Sequence, residues 1–240
     1  MSDNLVIFGL VVLCGILLLL IYRRDRARKL AVRGAYFEDC RSLFEDCRVT
    51  FEGVEFPVLD GRYGGRQVRL EPVVDHMAVR KLPSLWLKVS VFGNLPIPGT
   101  IDFLARPLNT EFFSPSSGLP VTLRIPAEWP QHALLRTDID DDSLPIRILR
   151  PHIGLFADPR AKELVIAPRG VRLVYQENQG ERAYYMVLRR AEFGAAKLSA
   201  ALARRLLDEA LAVYNSVAAP HGMGSLAPSQ MPGNGTAGEA

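Results

Sequence analysis

The chain has 240 residues, 48% of them hydrophobic, and its 29 Lys and Arg against 26 Asp and Glu give a formal net charge of +3. No RNA-binding, helix-turn-helix or zinc-finger pattern accompanies this small positive charge, so we predict no nucleic-acid partner. Three cysteines are too few for a disulfide framework and agree with a reducing compartment.

The first predicted element is an apolar segment over residues 5–22, which contains no charged residue and no proline. As a helix with a rise of ~1.5 Å per residue it is roughly 27 Å long, close to the ~30 Å hydrocarbon core of a bilayer. The start of the chain has no basic n-region, and no small-residue cleavage site follows the segment. We therefore predict an uncleaved transmembrane helix whose partner is the lipid bilayer.

Basic residues follow the apolar segment, and none precedes it. They are Arg23, Arg24, Arg26, Arg28 and Lys29. The positive-inside rule then places the N-terminus outside and the C-terminal domain in the cytoplasm. Arginine exceeds lysine, which suggests a GC-rich bacterial source and hence the bacterial inner (plasma) membrane. The basic cluster is also a candidate contact for anionic lipid headgroups.

A basic, helical juxtamembrane stalk is predicted over residues 23–48, where FEDCR at residues 37–41 recurs seven residues later. On a helix this spacing forms one stripe. The stripe is a candidate oligomer face made of Leu30, Phe37, Cys40, Phe44 and Cys47. It supports either a parallel coiled-coil homodimer or docking on the protein's own sheet. Arg33 and Gly34 interrupt the heptads and favour docking. Two cysteines without a nearby histidine do not predict a zinc site.

The globular domain, residues 49–217, is predicted to begin with a hairpin around Gly64-Gly65. A two-residue turn at these glycines sets three cross-strand pairs: Leu59–Leu70, Asp60–Arg69 and Tyr63–Arg66. Opposite charges then face each other, and apolar residues share one face. Arg62 and Arg66 beside the turn are candidate contacts for an anion or a lipid headgroup.

Further short strands are predicted over residues 85–92, 100–105, 121–125 and 146–149, separated by prolines. Residues 109–118 form a loop that contains Phe112 and Phe113. The acidic residues 138–142 resemble the start of a calcium loop. They lack the glycine and the final glutamate that such a loop needs, so we predict no metal and no cofactor.

A second hairpin is predicted from residues 161–167 and 170–175, with a third strand returning over residues 182–190. A turn at Gln179-Gly180 gives three cross-strand pairs: Glu177–Arg182, Tyr175–Tyr184 and Leu173–Met186. The antiparallel pairs at both hairpins predict one antiparallel sheet, a sandwich or a helix-capped barrel.

A closing helix is predicted over residues 195–217, because apolar residues recur there at helical spacing from Leu198 to Val217. The glycine-, proline- and serine-rich residues 218–240 are predicted to be a disordered tail. The fold class is therefore α+β: a single N-terminal transmembrane helix, a helical stalk, and an antiparallel β-rich domain closed by a C-terminal helix.

The sequence contains no G-x-S-x-G, H-E-x-x-H, C-x-x-C or G-x-G-x-x-G motif. The first functional hypothesis is therefore a non-enzymatic cytoplasmic interaction or scaffold module that binds a protein partner. A second hypothesis is an anionic lipid headgroup-binding domain that uses the basic stalk and the hairpin arginines, Arg69 included. A third is a hydrolase or transferase assembled in space around His76, His132 or His152.

Overall fold

The computed structural model describes residues 2–53, 55–75, 82–107, 111, 113–180, 182, 185, 193–194 and 196–219. It contains a long N-terminal apolar helix, a nine-stranded antiparallel sheet and a C-terminal helix. The predicted α+β class is confirmed. The predicted tail, residues 218–240, lies almost entirely outside the described residues.

Helix α1, Ser2–Gly34, is long and apolar enough to span a membrane. Its most apolar window has a mean hydropathy of 2.6, and none of that window is buried against the protein. The 33 residues extend roughly 50 Å at ~1.5 Å per residue, so the helix continues well beyond the apolar segment. It ends at Gly34, and the rest of the predicted stalk is a 3₁₀ helix over Glu38–Leu43 and the first strand.

Nine strands form the sheet: β1 Cys47–Thr50, β2 Val58–Tyr63, β3 Arg66–Val74, β4 Ser84–Phe92, β5 Ile101–Ala105, β6 Val121–Leu123, β7 Ala133–Thr137, β8 Ala161–Ala167 and β9 Gly170–Gln179. Their spatial order is β1-β2-β3-β4-β9-β8-β5-β7-β6, and every pair is antiparallel. Strands β1 and β6 are the two edges, so the sheet is open and is not the barrel that the sequence allowed.

The first predicted hairpin is confirmed in its register. Strands β2 and β3 pair Leu59 with Leu70, Asp60 with Arg69 and Tyr63 with Arg66. Both turn glycines have positive φ, 56° and 73°, as a two-residue hairpin turn of this kind requires. Local sequence therefore determined this part of the sheet.

The second predicted hairpin is confirmed for β8 and β9, but the returning third strand is wrong. Strand β9 pairs with β4 along one edge and with β8 along the other, so it has no edge left. Tyr175, for example, lies opposite Leu87 and Ala161. Arg182 and Tyr185, the described residues of the returning segment, are helical. Tyr184 and Met186 lie outside the described residues.

Residues 146–149 were also predicted wrongly as a strand, and two strands, β1 and β7, were missed. Residues 146–149 belong to helix α2, Ser143–Leu149, which buries Ile148 and Leu149. The side chain of Asp141 accepts hydrogen bonds from the N–H and the hydroxyl of Ser143, at 2.9 and 2.6 Å, and this favours a helical turn. Strand β7, which has the sequence ALLRT, was missed because its pattern does not alternate. A 3₁₀ helix, Arg150–Ala157, follows α2, and another lies at Ser116–Gly118.

Helix α3, Ala200–Ala218, covers one face of the sheet, here called the core face. It begins later than the predicted residue 195, because Ser199 caps it by accepting a hydrogen bond from the N–H of Leu202 at 3.3 Å. The N–H of Leu198 instead donates to the carbonyl oxygen of Tyr36 at 2.8 Å. This bond ties the segment after α1 to the start of α3.

Candidate interaction surface

The face of the sheet opposite α3 is here called the second face, and its side chains alternate with those of the core. The strand register aligns one residue from each strand into a row across the whole sheet. This transverse row is Arg48, Asp60, Arg69, Ser90, Arg172, Val165, Asp102, Arg136 and Thr122. Four arginines and two aspartates therefore lie at neighbouring positions, with strands spaced ~4.8 Å apart.

The β1–β4 half of this sheet carries an open cavity of about 750 Å³, here called the groove. The groove is lined by Asp46, Cys47, Arg48, Asp60, Gly61, Arg62, Gln67, Val68, Arg69 and Phe92. Three of these residues are arginines and two are aspartates, so the lining has a net charge of +1. Phe92 is 40% exposed and gives the groove an apolar contact surface.

The three groove arginines differ in how they are paired. Arg69 donates from Nε and a terminal nitrogen to the two carboxylate oxygens of Asp60, at 2.7 and 3.2 Å. The hydrogen bond to Asp60 raises the pKa of Arg69. Arg62 lies 3.7 Å from Glu45, and both side chains are more than half exposed, so this pair contributes little. The ion pairs among the described residues do not include Arg48.

The predicted anion contacts separate into three places in the structure. Arg62 and Arg69 line the groove, whereas the guanidinium of Arg66 stacks 4.7 Å from the ring centroid of Tyr214 on α3. Arg23, Arg24, Arg26 and Arg28 are exposed on α1, and Lys29 pairs with Asp25 at 2.9 Å. Arg48 was missed because the second FEDCR repeat, which contains it, was read as helix. The β-favouring sequence VTF that follows Arg48 was the signal that could have placed it in a strand.

The candidate oligomer face is largely absent from the surface. Phe37 and Cys40 are fully buried and Phe44 is 8% exposed, all three in the protein's own core. The ring of Phe44 packs closely on Gly61. A Cβ atom at residue 61 would lie 3.0 Å from that ring. Burial raises the pKa of the Cys40 thiol to about 11. Of the five residues, Cys47 is exposed and Leu30 is half-buried, so three of the five pack within the protein's own domain.

The other half of the second face contains a buried polar cluster that the sequence did not predict. Asp102 and Glu163 are both fully buried. Asp102 accepts a hydrogen bond from the hydroxyl of Ser114 at 3.2 Å, and Glu163 lies 3.6 Å from a terminal nitrogen of Arg172. Burial raises the pKa of Asp102 to about 6. Burial and the neighbouring charge of Asp102 raise the pKa of Glu163 to about 8.

Described residues of the 111–118 segment cover this cluster. Arg136 donates to the carbonyl oxygen of Ser116 at 2.7 Å, and Phe113 packs on Trp86 with ring centroids 5.5 Å apart. Lys162 and Glu111 form a buried ion pair at 2.7 Å beside it. Both carboxyl groups are fully buried beneath these contacts, so their ionisation affects the stability of the fold. Phe112 lies outside the described residues.

The two described histidines of the third hypothesis, His132 and His152, lie outside the groove lining. His76 lies outside the described residues. Burial lowers the pKa of His152. Within the described ranges, no group of three potential metal ligands is present, and residues 138–142 form a loop. Comparison of the chain with protein-family models, curated proteins and solved structures gives no match.

Proposed function

We propose that the protein is a single-pass, membrane-anchored interaction module without enzymatic activity, which holds a protein partner at the cytoplasmic face of the bacterial inner membrane. The observation that carries this proposal is the groove on the second face. It combines exposed arginines with an exposed aromatic ring and lies on the face opposite α3. Arginine and aromatic side chains are enriched where proteins bind one another.

The contacts at the end of α1 support a domain that is held at a fixed distance from the membrane. Twelve residues of α1 follow Tyr22, or roughly 18 Å of helix. The guanidinium of Arg33 lies 4.8 Å from the ring centroid of Phe56, and Arg33 pairs with Glu55 at 3.6 Å. The helix therefore ends in packed contacts. The arginines after the apolar segment support a cytoplasmic domain through the positive-inside rule.

Full-length protein crosslinked in native membranes, solubilised and purified is expected to bring down one partner in stoichiometric amount. The double variant Arg62→Glu/Arg69→Glu should lower that recovery about tenfold, because like charges would then face an acidic partner surface. Arg124→Glu is the matched control, since Arg124 is exposed and does not line the groove. Repeated recovery of the protein alone would contradict the proposal.

Fusion of alkaline phosphatase to the C-terminus should give no phosphatase activity if the domain is cytoplasmic.

Anionic headgroup binding is a second candidate, favoured by the four exposed arginines of α1. They lie within the first two turns beyond Tyr22, where each basic residue near an anionic surface contributes about 1 kcal/mol. Among the hairpin arginines, Arg66 and Arg69 have close intramolecular partners and Arg62 a weak one. The candidate headgroup site is therefore the helix and not the sheet.

Protein purified in mild detergent is expected to retain anionic phospholipid through these arginines. Replacement of Arg23, Arg24, Arg26 and Arg28 by glutamine should reduce the retained anionic lipid severalfold, as measured by mass spectrometry of the extracted lipids. A glutamine variant of Arg62 and Arg66 is the control and should retain as much lipid as wild type. Equal retention by all three proteins would exclude a headgroup site on α1.

A further inference from the structure

We propose that the outer edge of β1 binds an extended segment of the partner by strand addition, with an acidic side chain of that segment opposite Arg48. This inference rests on the proposed function, because it specifies how an interaction module would take up its partner. Strand addition supplies affinity through main-chain hydrogen bonds, while side chains at alternate positions supply specificity.

The two edges of the sheet differ in how well they are protected. Strand β6 has three residues, Pro120 directly precedes it, and Arg136 donates to the hydroxyl of its Thr122 at 3.1 Å. Strand β1 has four residues, no proline, and no second partner strand among the described residues. Proline and short length both protect an edge, and β1 is longer than β6 and lacks the proline, so β1 is the less protected edge.

The transverse row specifies the charge of the added strand. Along the row, Arg48 lies opposite Asp60, and Asp60 lies opposite Arg69. Both oxygens of Asp60 accept from Arg69, which leaves Arg48 exposed at the end of the row. An acidic residue on the next strand would extend the alternation of charge. Its side chain would also lie at the mouth of the groove, which has a net positive lining.

Phe51 adds an apolar requirement on the other face. It follows β1 directly, is 47% exposed, and its ring lies beside Gly34 at the end of α1. Phe51 is three residues after Arg48, so in an extended chain its side chain points to the opposite face. An antiparallel strand would therefore place an apolar residue three positions before its acidic residue. The partner segment is an extended peptide with this aromatic–acidic pattern.

Fluorescein-labelled peptides and full-length protein in detergent micelles test the proposal by fluorescence anisotropy. The probe STSFTVEVTS has phenylalanine three positions before glutamate, and STSFTVKVTS reverses the charge. Wild-type protein is expected to bind the glutamate peptide about tenfold more tightly than the lysine peptide, because an opposite-charge pair replaces a like-charge pair. The variant Arg48→Glu should reverse this preference. N-methylation at alternate peptide residues should abolish binding by both proteins.

Several results would overturn strand addition. Equal binding of both peptides, or binding that survives N-methylation, would show that the β1 edge does not select the ligand. Binding of neither peptide would mean that Arg48 only protects the edge. Self-association that Arg48→Glu abolishes would assign the edge to a second copy of the chain. If peptides fail but the crosslinked partner is still recovered in stoichiometric amount, strand addition is wrong and the proposed function stands. If the peptides fail to bind and no crosslinked partner is recovered, the proposed function is contradicted as well.

Discussion

Replacement of Glu163 by glutamine is expected to stabilise the domain at pH 8 and above. The folded state holds Glu163 with a pKa of about 8, above the value of 4.5 for a free glutamate. A group whose pKa is raised on folding costs stability once it ionises, so the cost grows as the pH rises from about 4.5 to about 8. Glutamine cannot ionise and should gain on the order of 2–3 kcal/mol, which raises the Tm by about 5–10 °C.

Circular dichroism melts at pH 5, 7 and 9 measure this effect. Wild-type protein should lose stability across the series, and Glu163→Gln should lose less, so the two curves separate at high pH. Asp102 adds to the wild-type slope, because burial raises its pKa to about 6. Glu71→Gln is the control, since Glu71 is partly exposed and pairs with Lys88 at 2.9 Å on the same face. A Glu163→Gln variant that melts below wild type at pH 9 would show that the contact with Arg172 outweighs the burial of charge.

Truncation of Phe37 to alanine is expected to destabilise the domain by about 3–5 kcal/mol, because it removes a fully buried ring from the core. The ring of Phe37 packs edge-on against Tyr36, with centroids 4.9 Å apart. Thermal melts in micelles measure the loss, and light scattering measures the oligomeric state. Because Phe37 is fully buried in the core of its own chain, the folded fraction should keep the wild-type mass.

Phe51→Ala is the matched control for Phe37→Ala, since the Phe51 ring is 47% exposed and its loss should cost less than about 1 kcal/mol. The milder variant Phe37→Leu covers the case in which Phe37→Ala does not fold. Leucine keeps most of the buried apolar volume, so this variant should lose less stability than Phe37→Ala. A Phe37→Ala protein with wild-type stability and a reduced oligomer mass would restore the coiled-coil interpretation.

Local patterns predicted the elements whose partners lie close in sequence. The Gly64-Gly65 turn was sufficient to align β2 with β3, because one short turn sets the register and cross-strand chemistry checks it. The same reasoning failed after β9, whose partner residues in β4 lie 78 to 95 residues earlier in the chain, from Phe92↔Gly170 to Ser84↔Gln179. The local sequence pattern does not show pairing over such a separation. Strand β4 occupies the edge of β9 that the predicted third strand required.

The residues of the groove were predicted only in part, for the same reason. Arg62 and Arg69 were identified from the hairpin, whereas Arg48 joined them only through the pairing of β1 with β2. The sequence indicated the two buried carboxyl groups only weakly, through the position of Asp102 and Glu163 within otherwise apolar strands. That pattern cannot show that β5 and β8 are neighbours, and their adjacency is what couples the two groups.

The apolar helix, the α+β class and the register of the first hairpin could all be predicted from the amino-acid order, because each depends on composition or on contacts within a few residues. The position of the FEDCR repeats depends instead on long-range packing. Their phenylalanines are spaced for a helical stripe, but burial in the core outweighs a short heptad pattern, and the helix ends at Gly34. The same packing turned Cys47 and Arg48 into an edge strand, and so created the surface on which the proposed function rests.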